Sequence, residues 1–277
     1  MRSELKKANR IVIKIGTSSI TYKNGKINFK KIEQLSKVLT DLKNSGKEIV
    51  LVSSGAIGAG MSKLGLKSKP VELREKQAVA AVGQGLLMQF YEKFFNEYNQ
   101  TIAQLLLTED VMTDQIKRRN VENTFFTLLD MGVIPIANEN DSVSTDEITG
   151  SKIGDNDTLS SMVAILVKAD LLIMLSDIEG LYESAPSINP NAKLISYVGR
   201  IDQDTYKIAG GADSLIGTGG MFTKIRAAEN LMKNEIHTVI ASGENINIIY
   251  SILEGEEIGT FFGTAEMRGE EYVRATN

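Results

Sequence analysis

Two lysines stand in this sequence where a lysine needs a reason. Lys14 sits inside the apolar run RIVIKI and is followed by Gly16, Thr17 and Ser18. An ammonium group buried unpaired in such a strand is costly, and the small residues after it leave backbone amides open to an anion. A strand-end lysine that reaches out to water is the plain alternative. Lys224 closes GTGGMFTK, Gly217 to Lys224, a Gly/Thr loop that runs into a helical pattern with the lysine one turn inside. This is the best local phosphate signal in the chain, because helix N-terminal amides and a nearby point charge both favour an anion. Neither segment is a Walker A motif, since GxxxxGK[ST] does not occur.

Acidic and small residues complete the set. GDND, Gly154 to Asp157, opens a helical pattern. A helix N-cap needs one side chain, whereas here two aspartates flank an asparagine. An acid placed between phosphate-binding lysines would hold them apart and oriented; metal ligation by one of these carboxylates is the competing role. NENDSV, Asn138 to Val143, ends an apolar strand. There Asp141 can pair with an ammonium group, while Asn138 and Asn140 can donate and accept; an Asx-rich turn is the simpler reading. SSGAIGAG, Ser53 to Gly60, brings small residues between a strand and a helix, which lets a ligand approach the backbone. Taken alone it reads as a tight strand–helix turn. The single histidine, His237, lies at the entry to a strand and reads as structural, and there is no cysteine. Disulfides, thiolate metal sites and a cysteine nucleophile are excluded. Chemistry run by positioning and charge, as in phosphoryl transfer, is favoured over histidine base catalysis.

These groups need a frame that brings them together. The chain has 277 residues, 42% hydrophobic and 24% charged, enough for a sizeable core. Its net charge of −4 and sequence pI of about 5.3 argue against nucleic acid or an anionic membrane as partner. The charged start MRSELKKANR lacks the apolar core of a secretory signal, and no apolar run is long enough to span a bilayer. A soluble cytoplasmic protein is expected. Strands are predicted at Arg10 to Ile15, Ile49 to Val52, Ile102 to Leu107, Val133 to Ala137, Leu171 to Leu175, Thr238 to Ala241 and Ile258 to Phe262. Helices are predicted from an Asn28 cap to Lys43, from Val71 to Tyr98 with a break at Gly83 or Gly85, from Asp114 to Met131, from Asp157 to Lys168 and from Gly220 to Lys233. GTSSIT and Ser184 to Asn191 read as loops, and Ser142 to Ile153 as a hairpin or mobile flap. Continuous apolar strands belong in a mostly parallel sheet covered on both faces. The predicted fold is therefore α/β, an open three-layer αβα sandwich, in a single domain of two lobes divided near residue 170. Ligands in such sheets bind beyond the carboxyl ends of the strands, where the motifs lie.

In their order, IVIKIGTSS, SSGAIGAG, KQAVAAVGQ, NENDSV, GDND, SDIEGLY and GTGGMFTK resemble the glutamate 5-kinases of the amino acid kinase superfamily, from about Arg10 to Phe262. The resemblance implies the amino acid kinase fold, with an amino-acid lobe at about 1–170 and a nucleotide lobe at about 171–277. It implies that Lys14 and Lys224 stabilise a transferring phosphoryl group, that Asp157 organises them, and that Asp155 is a second matched carboxylate. Ser54, Gly55, Asp141 and Asn156 match substrate-binding positions. Ser176 and Asp177, with Thr218, Gly219, Gly220, Met221, Phe222, Thr223 and Lys224, match nucleotide-binding ones. The cofactors implied are ATP and nucleotide-bound Mg²⁺, without a protein metal site. Proline as feedback inhibitor, a homo-oligomer, and a glutamyl phosphate reductase as the next enzyme are implied partners. Ser176 replaces a common threonine, and Phe222 stands where a small or polar residue is usual. The chain is expected to lack the C-terminal PUA domain of many members. Other acid kinases, for acetylglutamate or aspartate, are the nearest alternative; an acylated amine would leave Asp141 without its partner. A silent amino-acid sensor is another, though a sensor has no need of Lys14, Asp157 and Lys224.

Overall fold

A computed structural model of the chain describes residues 2–22, 24–143, 156–186, 188–210 and 220–263. Eight strands form one sheet: β1 (Arg10–Ile15), β2 (Glu48–Ser53), β3 (Ile102–Leu107), β4 (Ile134–Glu139), β5 (Leu171–Ser176), β6 (Tyr197–Val198), β7 (His237–Ser242) and β8 (Thr260–Phe262). Their order is β3-β4-β2-β1-β5-β7-β8-β6. β1 lies at the centre, with Ile13 paired to Leu51 on one side and Ile173 on the other. Every pairing is parallel except β7 with β8, which is antiparallel.

The continuous apolar runs follow from burial on both faces. Successive side chains of a strand point to opposite faces, and β1 divides accordingly. Ile11, Ile13 and Ile15 enter one core with Leu35, Leu39, Tyr91 and Phe95. Val12 enters the other with Val50, Leu172, Met174, Leu159 and Val163. Lys14 shares the parity of Val12, so it faces the second layer, where helices from residues 156 and 220 pack. Its direction is therefore set by alternation alone.

The helices are α1 (Thr17–Ile20), α2 (Phe29–Asn44), α3 (Ala56–Leu64), α4 (Leu73–Asn96), α5 (Gln115–Asp130), α6 (Asn156–Leu166), α7 (Gln203–Gly210), α8 (Gly220–Met232) and α9 (Ile248–Leu253). Asn28 caps α2 as predicted, its side chain accepting from the Lys31 amide. Three expectations change. GTSSIT contains a helical turn, α1. The second half of SSGAIGAG is already helix, because α3 begins at Ala56 after Gly55 turns the chain at φ +109°. α4 runs unbroken through Gly83 and Gly85. Gly83 is a contact residue instead of a break: a Cβ there would collide with the Ala56 carbonyl oxygen and stand 2.5 Å from the Gly60 nitrogen. A Cβ at Gly60 would in turn collide with the Val79 carbonyl oxygen. α3 and α4 therefore touch backbone to backbone, which fixes where α3 begins. The predicted Ser142 to Ile153 flap lies outside the described residues from 144 onward.

Candidate active site

Three charged side chains meet beyond the carboxyl end of β1. Lys14 Nζ lies 2.6 Å from Asp157 Oδ1, and Lys224 Nζ lies 2.9 Å from Asp157 Oδ2. Thr223 Oγ1 donates to the same Oδ2 at 2.9 Å. Lys224 Nζ also donates to the Gly220 carbonyl one turn earlier, at 2.9 Å. All three charged side chains are at least nine-tenths buried, Asp157 with only 1% exposure. Among the described residues, two cations on one anion leave the cluster with one net positive charge. Buried charge of that sign is costly without a counter-ion, so the cluster suits an anion.

Burial by itself would raise the Asp157 carboxyl; the Lys14 and Lys224 ammonium groups and their hydrogen bonds outweigh it and hold the group below its ordinary value. A depressed carboxyl contributes stability that is full above its unfolded value of about 3.9 and is lost as pH falls through the folded value. Asp157→Asn should therefore be less stable than the parent at pH 7, with the gap closing only below about pH 4. Urea unfolding at pH 7, 5 and 3 measures this, and a gap that is equally large at all three would contradict it.

A second group of predicted residues lines a cavity of about 440 Å³. Its walls include Thr17 of α1, Ser54 and Gly55, the start of α3, Asn138 and Glu139 of β4, Asp141 and Asn156. Asn156 Nδ2 donates to Ser54 Oγ at 2.6 Å. Asn156 opens α6 toward the cavity while its neighbour Asp157 turns to the lysines, so one helix start serves both places. Asp141 is partly shielded, and burial raises its carboxyl; an ammonium group beside it would draw it back down. Asn138 is buried and donates to Gln84 Oε1 on α4 at 2.8 Å, so its amide is a brace for the wall rather than a free donor.

The remaining predicted residues fall as follows. Ser176 is buried at the end of β5, and its Oγ donates to Asp177 Oδ1 at 3.0 Å. Met221 packs against the core layer of α6 and α8. The Phe222 ring lies 5.2 Å from that of Tyr206 on α7. Asp155, Thr218 and Gly219 lie outside the described residues. His237 packs edge-on to Phe261 at 5.3 Å, as a structural residue should. Sequence reading had missed Thr223 as an Asp157 partner and Lys69, which also lines the cavity. For Thr223 a signal existed: it stands beside Lys224 in the same Gly/Thr motif.

Residues 9–242 match the amino acid kinase family. The chain belongs to this family. Glutamate 5-kinase of Clostridium perfringens is 54% identical over 95% of this chain and 98% of its own. The glutamate 5-kinase of Enterococcus faecalis is 51% identical over 95% and 97%. Among solved structures, an isopentenyl phosphate kinase superposes with a TM-score of 0.63 at 16% identity, covering 92% of this chain and 100% of its own. UMP kinase from Ureaplasma parvum gives 0.63 at 16%, covering 92% and 98%. At that identity the structural likeness speaks for the family's fold alone, and the kinase sheet with helices on both faces is that fold.

Proposed function

We propose that this kinase transfers the γ-phosphoryl group of ATP to the side-chain carboxylate of glutamate, giving glutamyl 5-phosphate and ADP at the start of proline synthesis. The observation that carries the reading is the buried Lys14–Asp157–Lys224 cluster placed next to a cavity walled by Asp141. The glutamate 5-kinase relatives support it over nearly the whole chain.

The γ-carboxylate of glutamate is already ionised at neutral pH, so no general base is required. One of its oxygens attacks the γ-phosphorus, the bond from phosphorus to the β–γ bridging oxygen breaks, and the electron pair leaves on ADP. The obstacle is bringing one anion against another. Lys14 and Lys224 offset that repulsion and stabilise charge on the equatorial oxygens, already aimed by Asp157 and stripped of water. Asp141 takes the α-ammonium; Ser54, Gly55 and Asn156 complete the amino-acid wall. Ser176, Asp177 and the segment from Thr218 to Lys224 take the nucleotide, so β3 to β1 form the amino-acid half of the sheet and β5 to β6 the nucleotide half. Asp157 is engaged by two lysines and a threonine hydroxyl and does not suit a metal. Mg²⁺ fits instead as an ion carried on the nucleotide phosphates, where it supplies neutralising charge.

The test is ADP release with ATP and L-glutamate, with the acyl phosphate trapped by hydroxylamine. ATP turnover that ignores glutamate would reject the proposal. Asp141→Asn should raise the glutamate KM about tenfold or more, the scale of a lost charge-assisted hydrogen bond, and leave the ATP KM within about twofold. Equal effects on both substrates would move Asp141 out of the amino-acid site. Proline carries an α-carboxylate and a cationic amine but no γ-carboxylate, so the Asp141 end suits it as a competitive inhibitor.

A further inference from the structure

Lys69 stands apart from the other residues of the site. It belongs to the connection between α3 and α4, not to any of the glycine-rich or acidic motifs. Yet it lines the 440 Å³ cavity together with Asp141 and Glu139, and among the described lining residues it is the one cation. Lys69 is exposed and, among the described residues, makes no ion pair or hydrogen bond.

Its backbone is nonetheless well placed. Gly65 ends α3 in the left-handed region at φ +68°, and the Leu66 amide closes back on the Met61 carbonyl at 3.0 Å, which fixes the exit from the helix. Pro70 is buried, so the chain is pinned one residue after Lys69, and a residue before proline is held extended. The backbone contact of α3 with α4 at Gly60 and Gly83 holds together the two helices that flank the connection. An exposed ammonium is thus presented at the cavity wall from a fixed attachment.

The charge pattern says what it meets there. A free amino acid with a side-chain carboxylate carries two anionic groups and one cationic group. With the ammonium on Asp141 and the side-chain carboxylate directed to the Lys14–Asp157–Lys224 cluster, the α-carboxylate is left to the rest of the wall, where Lys69 is the cation among the described residues. We propose that Lys69 pairs with the α-carboxylate of the amino-acid substrate and is a specificity-determining residue that selects a free α-carboxylate over a blocked one. This rests on the reading of the cavity as the glutamate site.

The test compares L-glutamate with its α-amide, L-isoglutamine, which keeps the ammonium and the reacting carboxylate. Both are assayed with saturating ATP by hydroxamate trapping on the wild type, Lys69→Met and Lys69→Arg. Lys69→Met is expected to raise the glutamate KM about 5- to 30-fold, less than a fully buried charged contact because Lys69 is exposed. The α-amide kinetics should be unchanged, so the preference for glutamate collapses, and Lys69→Arg should restore most of it. Added salt should weaken glutamate binding to the wild type more than to Lys69→Met. Equal losses on both substrates would make Lys69 merely structural and overturn the proposal, as would a glutamate KM within twofold of the parent. A wild type that yields no hydroxamate from glutamate would sink the glutamate reading itself and this proposal with it. A productive wild type with an indifferent Lys69→Met sinks the proposal alone.

Discussion

Replacing Lys224 by alanine is expected to lower turnover by about 10²–10³, the cost of removing one preorganised charge from a developing transition state. The glutamate KM should change little, because Lys224 belongs to the cluster around Asp157 and not to the cavity wall. The ATP KM should rise modestly. The substitution also leaves Asp157 with Lys14 and Thr223 as partners, so one cation still balances the carboxylate and the protein should fold. That separates Lys224 from a structural role: circular dichroism and the urea midpoint should stay near the parent's while the rate collapses. Steady-state kinetics with both substrates varied checks this. Turnover within a few-fold of the parent would remove Lys224 from the chemistry.

The second large effect concerns stability. Gly83→Ala should destabilise the protein by more than about 3 kcal/mol, at the upper end of overpacking costs. The added carbon meets backbone on the opposite helix, the Ala56 carbonyl oxygen and the Gly60 nitrogen, and backbone cannot swing aside as a side chain can. Ala56 is the first residue of α3 and part of the cavity wall, so glutamate affinity should fall with stability. Gly85→Ala, two residues along the same helix, is the control. Nothing lies within 4 Å of a Cβ there, so alanine should stabilise α4 by about 0.5–1 kcal/mol through helix propensity. Thermal unfolding of the pair decides the matter. Similar behaviour of the two would mean that α3 and α4 are not in the backbone contact described.

These two glycines also show where sequence reading stops. A glycine in a helical pattern signals a break, a close approach or nothing in particular, and the letter is the same in each case. Which one applies depends on what crosses it in space. The strands, by contrast, were legible because burial on both faces writes itself as unbroken runs such as RIVIKI and LLIM. The direction of β8 was not, since antiparallel pairing with β7 leaves no trace in three residues. At the site, Lys14 and Lys224 stood out because each breaks a local rule: a charge in an apolar strand, a lysine after a glycine-rich segment. GDND offered two aspartates, and only the resemblance singled out Asp157. Asp141 stood out at a strand end for a similar reason. Lys69 broke no rule. A lysine in KSKP is what any surface loop contains, and only the cavity wall gives it a role. Asn138 was noticed for its hydrogen-bonding capacity, but its partner Gln84 lies on the distant helix α4 and no spacing could have named it.

The three members of the charged cluster come from residues 14, 157 and 224, carried on β1, α6 and α8. No local segment holds two of them; Thr223, the hydroxyl that also reaches Asp157, is the neighbour of Lys224. Contacts between such distant parts of a chain close late, because the entropy of closing long loops must be met before they form. A chain with only its first strands and helices in place has no anion site. During refolding, the recovery of nucleotide binding should trail the recovery of helical signal, and a nucleotide analogue should bind only chains whose whole sheet has assembled. Ligand present during folding would then stabilise the finished form by mass action without guiding its earliest steps.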